Sequence, residues 1–295
     1  MKKTVFTGVG TALCTPFTNG KIDVEQYDRL LDFQIGGKAD ALIVCGTTGE
    51  GSTLTDEEHR GLIAHSVEYV KRRIPVIAGT GSNDTAYAAD LSKFAEKAGA
   101  DALLLVTPYY NKASQRGLVA HFGAVAGQVK IPIILYNVPS RTGTNIKPET
   151  VAELAEYENI VAIKEASGDI SQVAKIRALC PEIDVYSGND DQTLPVLSLG
   201  GKGVISVLSN IMPETVHEMC DAFFKGDVKR AVRLQLDTIG IDGALFSDVN
   251  PIMVKTALAY MGLCSGELRL PLTPSCGENN ERLLNEMKKH GLIKD

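Results

Sequence analysis

Eight short apolar runs, each followed by a helix-patterned stretch, constrain this chain more than any other feature. They are Val5–Leu13, Ala41–Cys45, Pro75–Ala78, Ala102–Val106, Pro132–Tyr136, Ile160–Lys164, Ile183–Tyr186 and Gly203–Leu208. The runs are near-continuous rather than alternating, as expected of parallel strands covered on both faces. Between them lie amphipathic segments such as Asp56–Val70, Thr85–Lys97 and Pro148–Tyr157, several opening on a capping residue: Thr55 or Asp56 before one, Asn83 or Asp84 before the next. Gly99 and the Gly200-Gly201 pair stand where helices should stop. Eight strand–helix units are the count of a (β/α)₈ TIM barrel, with a doubly wound open sheet as the runner-up. The last unit closes near Lys225, so residues 1–225 form the expected barrel carrying the site. Residues 226–295 form a C-terminal helical appendage, with helices expected over Val228–Thr238, Pro251–Met261 and Glu278–His290.

Composition narrows the function classes. The chain is 44% hydrophobic and 22% charged, which excludes a disordered, collagen-like or disulfide-scaffold protein. Its net charge of -6 sets it against phosphate-rich surfaces, so neither a nucleic-acid nor a membrane partner is expected. Lys2 and Lys3 precede an apolar run interrupted by threonines and glycines, with Leu13 before Cys14; this reads as a first strand rather than a signal peptide. The six cysteines are scattered without C-x-x-C spacing and the five histidines are dispersed, so no metal site is expected and the cysteines read as small buried hydrophobes of a cytoplasmic protein.

A barrel gathers its chemistry at the C-terminal ends of its strands. There the chain places Thr47-Thr48-Gly49-Glu50, Tyr109-Tyr110, Tyr136-Asn137 with Arg141 nearby, Lys164-Glu165, Ser187-Gly188-Asn189-Asp190 and Ser206. Lys164 closes the run Ile160-Val161-Ala162-Ile163. A strand-end lysine can simply reach solvent. In the dry mouth of a barrel, desolvation favours the neutral amine, the form that attacks a carbonyl to make a Schiff base. GTTGEGS (46–52) sits between a strand and a helix, where backbone amides can cradle a phosphate or a carboxylate, or merely turn the chain. Thr47, Tyr110 and Tyr136 are hydroxyls able to move protons. Asn189-Asp190-Asp191 reads as a helix N-cap rather than a cation site.

Taken together, GTTGE (46–50), Tyr109-Tyr110, Tyr136-Asn137-Val138-Pro139 with Arg141-Thr142, and IKEASGD (163–169) resemble the Schiff-base aldolases of the dihydrodipicolinate synthase and N-acetylneuraminate lyase superfamily, most of all its dihydrodipicolinate synthase branch. The resemblance implies condensation of pyruvate with L-aspartate-4-semialdehyde to 4-hydroxy-tetrahydrodipicolinate, in lysine and diaminopimelate biosynthesis, with no cofactor beyond the imine itself. It assigns the imine to Lys164, proton transfer to Tyr136 with Thr47 and Tyr110, and the pyruvate carboxylate to the Thr47 and Thr48 amides. Arg141 takes the semialdehyde carboxylate, and Gly188 and Ile205 match positions that touch the pyruvate or Lys164. It also implies a homo-oligomer, a dimer or dimer of dimers, in which Tyr110 reaches a neighbouring site.

A lyase for N-acetylneuraminate or a 2-keto-3-deoxy sugar acid shares Lys164, Tyr136 and the cradle but commonly lacks the arginine that stands here as Arg141. A non-catalytic or phosphate-sugar-binding barrel is the alternative outside the superfamily. Lysine-sensitive members bind that end product in a pocket matched here by His59, Asn83 and Tyr109. Tyr87 replaces their glutamate and Asp56 a histidine found in some, so weak inhibition at most is expected, with Asp56 held as an N-cap.

Overall fold

The structure is a computed structural model and describes residues 2–294. Its eight parallel strands close into a barrel: β1 (Gly8–Ala12), β2 (Ala41–Val44), β3 (Val76–Gly79), β4 (Ala102–Val106), β5 (Ile133–Asn137), β6 (Ile160–Glu165), β7 (Asp184–Ser187) and β8 (Gly203–Ser206), with β8 pairing back onto β1. The closed parallel barrel excludes the open-sheet alternative. At the seam Gly8 is in register with Gly203, and a Cβ on Gly203 would lie 1.8 Å from the Gly8 carbonyl oxygen, so only glycine lets these two strands approach. An antiparallel ribbon of Phe17–Thr18 and Lys21–Ile22 follows β1.

The apolar runs are strands because both their faces are covered. One set of side chains, including Ile43, Ile77, Leu104, Tyr136, Tyr186 and Ile205, fills the barrel interior. The other, including Leu42, Val44, Leu103, Leu135 and Val185, packs under the surrounding helices.

The helix Asp56–Val70 opens with a capping box: Thr55 Oγ1 accepts from the Glu58 amide, and the Glu58 carboxylate accepts from the Thr55 amide. The capping residue is thus Thr55, and Asp56 is the first helical residue. Asp84 caps the next helix, Thr85–Ala98, which Gly99 ends in the left-handed conformation. The segment expected to be helical to Tyr157 stops at Leu154.

The helix after β8 runs Pro213–Phe224, and three more follow: Val228–Leu245, two turns longer than its sequence pattern suggests, Ile252–Tyr260 and Glu278–Lys289. Their buried residues, among them Ala231, Leu245, Met253 and Leu283, belong to the same hydrophobic cluster as the barrel's outer layer. The appendage therefore seats on the barrel and brings residues 250–269 over the mouth near the β2 loop. Among the described residues no helix is long and apolar enough to cross a membrane.

Candidate active site

Lys164 lies near the end of β6, two residues from Ala162 and Ala166, and the alternation of a strand turns all three toward the barrel interior. Glu165 faces the other way. Its carboxylate accepts from Asn137 Nδ2 at 3.1 and 3.0 Å, Gln172 Nε2 at 2.9 Å and the Ser167 amide at 2.7 Å, a saturated buried network behind the strand. The neighbouring acid is thereby committed elsewhere and does not pair with the lysine. Lys164 is 5% exposed, and its ammonium lies 4.4 Å from the centre of the Tyr136 ring, its register partner on β5. The Tyr136 carbonyl oxygen in turn accepts from both the amide and the hydroxyl of Thr107, which fixes the backbone that carries the phenol.

Glycine at 188 is a requirement of this packing. A Cβ there would fall 3.0 Å from Lys164 Cε and 2.5 Å from Ala166 Cβ. Ile205, fully buried on β8, completes the same interior wall.

A cavity of about 350 Å³ opens beside Tyr136, a volume suited to small metabolites. Thr47, Tyr136, Val138 and Arg141 are among the residues that line it. The Thr47 and Thr48 amides come from the tight turn after β2, where the Glu50 amide donates to the Thr47 carbonyl and that of Gly51 to the Gly46 carbonyl. Among the described residues no acceptor takes the amides of Thr47 or Thr48, which leaves two adjacent N–H donors for an anionic ligand. Arg141, on the short helix Pro139–Thr142, is exposed on the cavity wall and donates from Nη2 to the Asn250 carbonyl at 3.4 Å.

His59, Tyr87 and Tyr109 line the same cavity. His59 Nε2 bonds the Gly79 carbonyl at 2.8 Å, and burial holds its imidazole below the usual histidine range. Asn83 stands beside this pocket with its carbonyl accepting from Asn111 Nδ2. The expectation for Asp56 is corrected here: since Thr55 does the capping, its carboxylate is free to take Arg60 Nε at 2.8 Å.

A second correction concerns Asp190. Asn189 makes no capping bond, and Asp190 is buried, with Oδ2 accepting the amides of Val207 and Leu208 at 2.8 and 3.1 Å. It pins the end of β8 to the loop after β7. Burial raises its carboxyl above the usual range, against the pull of Ser206, those amides and the Lys164 charge.

A model of the dihydrodipicolinate synthetase family matches residues 5–290. The chain belongs to that family. It is 55% identical over 290 residues to the 4-hydroxy-tetrahydrodipicolinate synthase of Geobacter sulfurreducens, covering 98% of this chain and all of that one. With the enzyme of the same name from Acetivibrio thermocellus it shares 52% identity over 294 residues, 99% of this chain and 100% of the other. The crystal structure of dihydrodipicolinate synthase from Aquifex aeolicus superposes with a TM-score of 0.96 at 46% identity, covering 98% of this chain and 100% of that chain.

Against the family pattern, the fold brings Lys164, Tyr136, Thr47, Thr48, Arg141, Gly188 and Ile205 to one end of the barrel. It does not bring Tyr110 there. That residue has a left-handed backbone (φ 71°), is 91% exposed and contributes nothing to the cavity wall of its own chain. Sequence reasoning missed the appendage side of the site altogether. Asn250 Nδ2 donates to Thr48 Oγ1 at 3.0 Å, and Lys255 Nζ reaches Glu50 Oε1 at 2.6 Å. The available signal was a single lysine inside the apolar helix IMVKTALAY, an odd place for a solvated charge.

Proposed function

We propose that this chain condenses pyruvate with L-aspartate-4-semialdehyde to 4-hydroxy-tetrahydrodipicolinate through an imine between pyruvate and Lys164. The observation that carries this reading is the interior-facing Lys164 against Tyr136, which lines the same cavity as Thr47, the first residue of the turn whose Thr47 and Thr48 amides have no acceptor among the described residues.

Lys164 Nζ attacks the ketone carbon, and loss of water leaves a protonated imine. That imine acidifies the pyruvate methyl group, and loss of a methyl proton gives an enamine whose carbon attacks the aldehyde, the new alkoxide taking a proton. The iminium nitrogen itself is the electron sink, so the step calls for no Lewis acid. The semialdehyde's own amine then adds to the iminium carbon and displaces Lys164, which closes the ring and frees the lysine. Tyr136, beside the nitrogen, is the group placed to carry the protons, with Thr47 on the same cavity wall as its relay. The Thr47 and Thr48 amides take the pyruvate carboxylate, and Arg141 takes that of the semialdehyde, where a guanidinium fork matches two oxygens. A sugar-acid lyase would use the same lysine and cradle, but Arg141 on the cavity wall favours a carboxylate at the second subsite.

Tyr110 is assigned to a neighbouring subunit's site, so the working unit is at least a dimer; its exposure in the single chain supports this. We place the reaction in the cytoplasm, which suits five buried, unpaired cysteines and a sixth, Cys276, that is free and exposed.

The test is reductive trapping. Borohydride added with pyruvate is expected to inactivate the protein and leave one pyruvate-derived adduct on Lys164, located by peptide mass mapping. An adduct on another lysine, or none, overturns the mechanism.

A further inference from the structure

Two non-glycine residues bracket the carboxylate cradle in the left-handed backbone region: Cys45 (φ 57°) before it and Glu50 (φ 51°) after it. Such residues persist only where the surroundings over-determine them. At Glu50 the surroundings are unusual. Its carboxylate meets the Lys255 ammonium at 2.6 Å, with the two side chains 1% and 0% exposed, and its second oxygen accepts the Arg269 amide at 3.0 Å. The Lys255 ammonium and the Arg269 guanidinium each lie 4.3 Å from the centre of the Phe17 ring.

A fully buried ion pair is poor evidence of stabilisation, because desolvation offsets much of the attraction and apolar replacements are often as stable. Its location is more informative. Glu50 is the last residue of the turn whose first carbonyl is that of Thr47, and Lys255 comes from the appendage, 205 residues away in sequence. A few residues before Lys255, Asn250 binds the Thr48 hydroxyl.

Building on the reading of Thr47 and Thr48 as the pyruvate carboxylate site, we propose that Lys255 and Glu50 are positioning residues for that subsite. The pair holds Glu50 left-handed and so aims the two amides at one anion. Losing it weakens pyruvate binding without touching the aldehyde subsite. The helical appendage is then a working part of the active site, since it supplies the cation.

The experiment compares Glu50→Gln, Lys255→Met, the double variant Glu50→Gln/Lys255→Met, and Glu50→Gly/Lys255→Met with wild type. Readouts are Tm, the pyruvate concentration for half-maximal borohydride trapping, and KM for each substrate.

The single variants are expected to lose Tm and to need tenfold or more pyruvate, with aldehyde KM within twofold of wild type. Removing both charges should recover Tm but not pyruvate affinity, because glutamine still disfavours the left-handed backbone. Glycine at position 50 accepts that backbone unaided and should bring pyruvate affinity back to within about threefold of wild type.

If pyruvate affinity follows Tm in every variant, or if the Gln and Gly doubles bind pyruvate alike, the pair is only structural and the proposal fails. Should a single variant not fold, the two doubles still decide. Wild-type protein that traps no pyruvate would instead overturn the reaction itself.

Discussion

Tyr136 and Lys164 are register partners on adjacent parallel strands, and the lysine ammonium sits 4.4 Å from the centre of the tyrosine ring. The contact places the lysine nitrogen over a tyrosine ring in a water-poor interior. It also puts a phenol beside the nitrogen that the proposed reaction uses, by strand pairing alone. Two neighbouring strand ends thus supply the proposed nucleophile and proton carrier without either depending on a loop.

The tightest constraint on Lys164 is the absence of a side chain at Gly188. An added methyl would meet Ala166 Cβ at 2.5 Å and Lys164 Cε at 3.0 Å. Ala166 cannot rotate away, so the wall must move, a strain of about 1–3 kcal/mol. Gly188→Ala is expected to lower Tm by several degrees and kcat by at least tenfold. Gly61→Ala is the control: Gly61 lies within a helix and has open space at its Cβ, so the change should be neutral or slightly stabilising. Wild-type kcat in Gly188→Ala would show that the lysine position is not sensitive to this wall.

Arg141→Ala should separate the two substrates. Pyruvate trapping on Lys164 should continue nearly unchanged, while KM for the semialdehyde rises and kcat falls. Charge-assisted bonds contribute roughly 1.5–3 kcal/mol, so kcat/KM is expected to drop between about tenfold and a hundredfold. An unchanged aldehyde KM would remove Arg141 from the site.

The exposure of Tyr110 predicts complementation between subunits. Lys164→Ala chains and Tyr110→Phe chains, each weakly active or inactive alone, should regain activity after mixing and subunit exchange. A hybrid dimer then holds one site with both residues intact. Verified exchange without recovery would argue against a shared site.

Acid stability should report on the tie between barrel and C-terminal segment. Arg269 donates to both Glu58 carboxylate oxygens, at 2.7 and 2.6 Å, and holds that carboxyl down at about 2. A carboxylate depressed on folding stabilises the native state above its unfolded pKa of about 4.3, and that contribution is lost as pH falls toward the folded value. The fall of Tm between pH 5 and pH 2 should therefore be shallower in Glu58→Gln than in wild type. Parallel curves would mean that solvent screening already cancels the pair.

What was legible in the sequence follows from the range of the forces involved. The strands were readable because burial on both faces writes an apolar run, and Lys164 because a charge ends one. Misreadings occurred where a local pattern has a distant partner. Asp190 resembles a cap until the amides of Val207 and Leu208 are brought to it. Lys255, an odd charge in an apolar helix, shows no partner until the barrel places Glu50 against it. Asp56 was assigned a cap that belongs, one residue earlier, to Thr55. None of these pairings has a spacing that a single sequence reveals.

Lysine should inhibit this protein weakly or not at all. Of the positions that the family resemblance assigns to a lysine pocket, His59, Tyr87 and Tyr109 line the cavity that also holds Thr47 and Arg141. Its charge is wrong for an amino-acid effector. By the family resemblance Tyr87 stands where sensitive members carry a glutamate, and a ligand ammonium desolvated without that partner loses on the order of 2–5 kcal/mol, roughly thirtyfold or more in affinity. Asp56 is the carboxylate at hand, but Arg60 already occupies it and holds its carboxyl below the usual range. To serve a ligand it would have to give up that partner. Half-inhibition in the pyruvate–semialdehyde assay is accordingly expected above about a millimolar, and Tyr87→Glu should move it lower by tenfold or more. Wild-type half-inhibition well below a millimolar would show that Asp56 turns to the ligand, and Asp56→Asn should then abolish it.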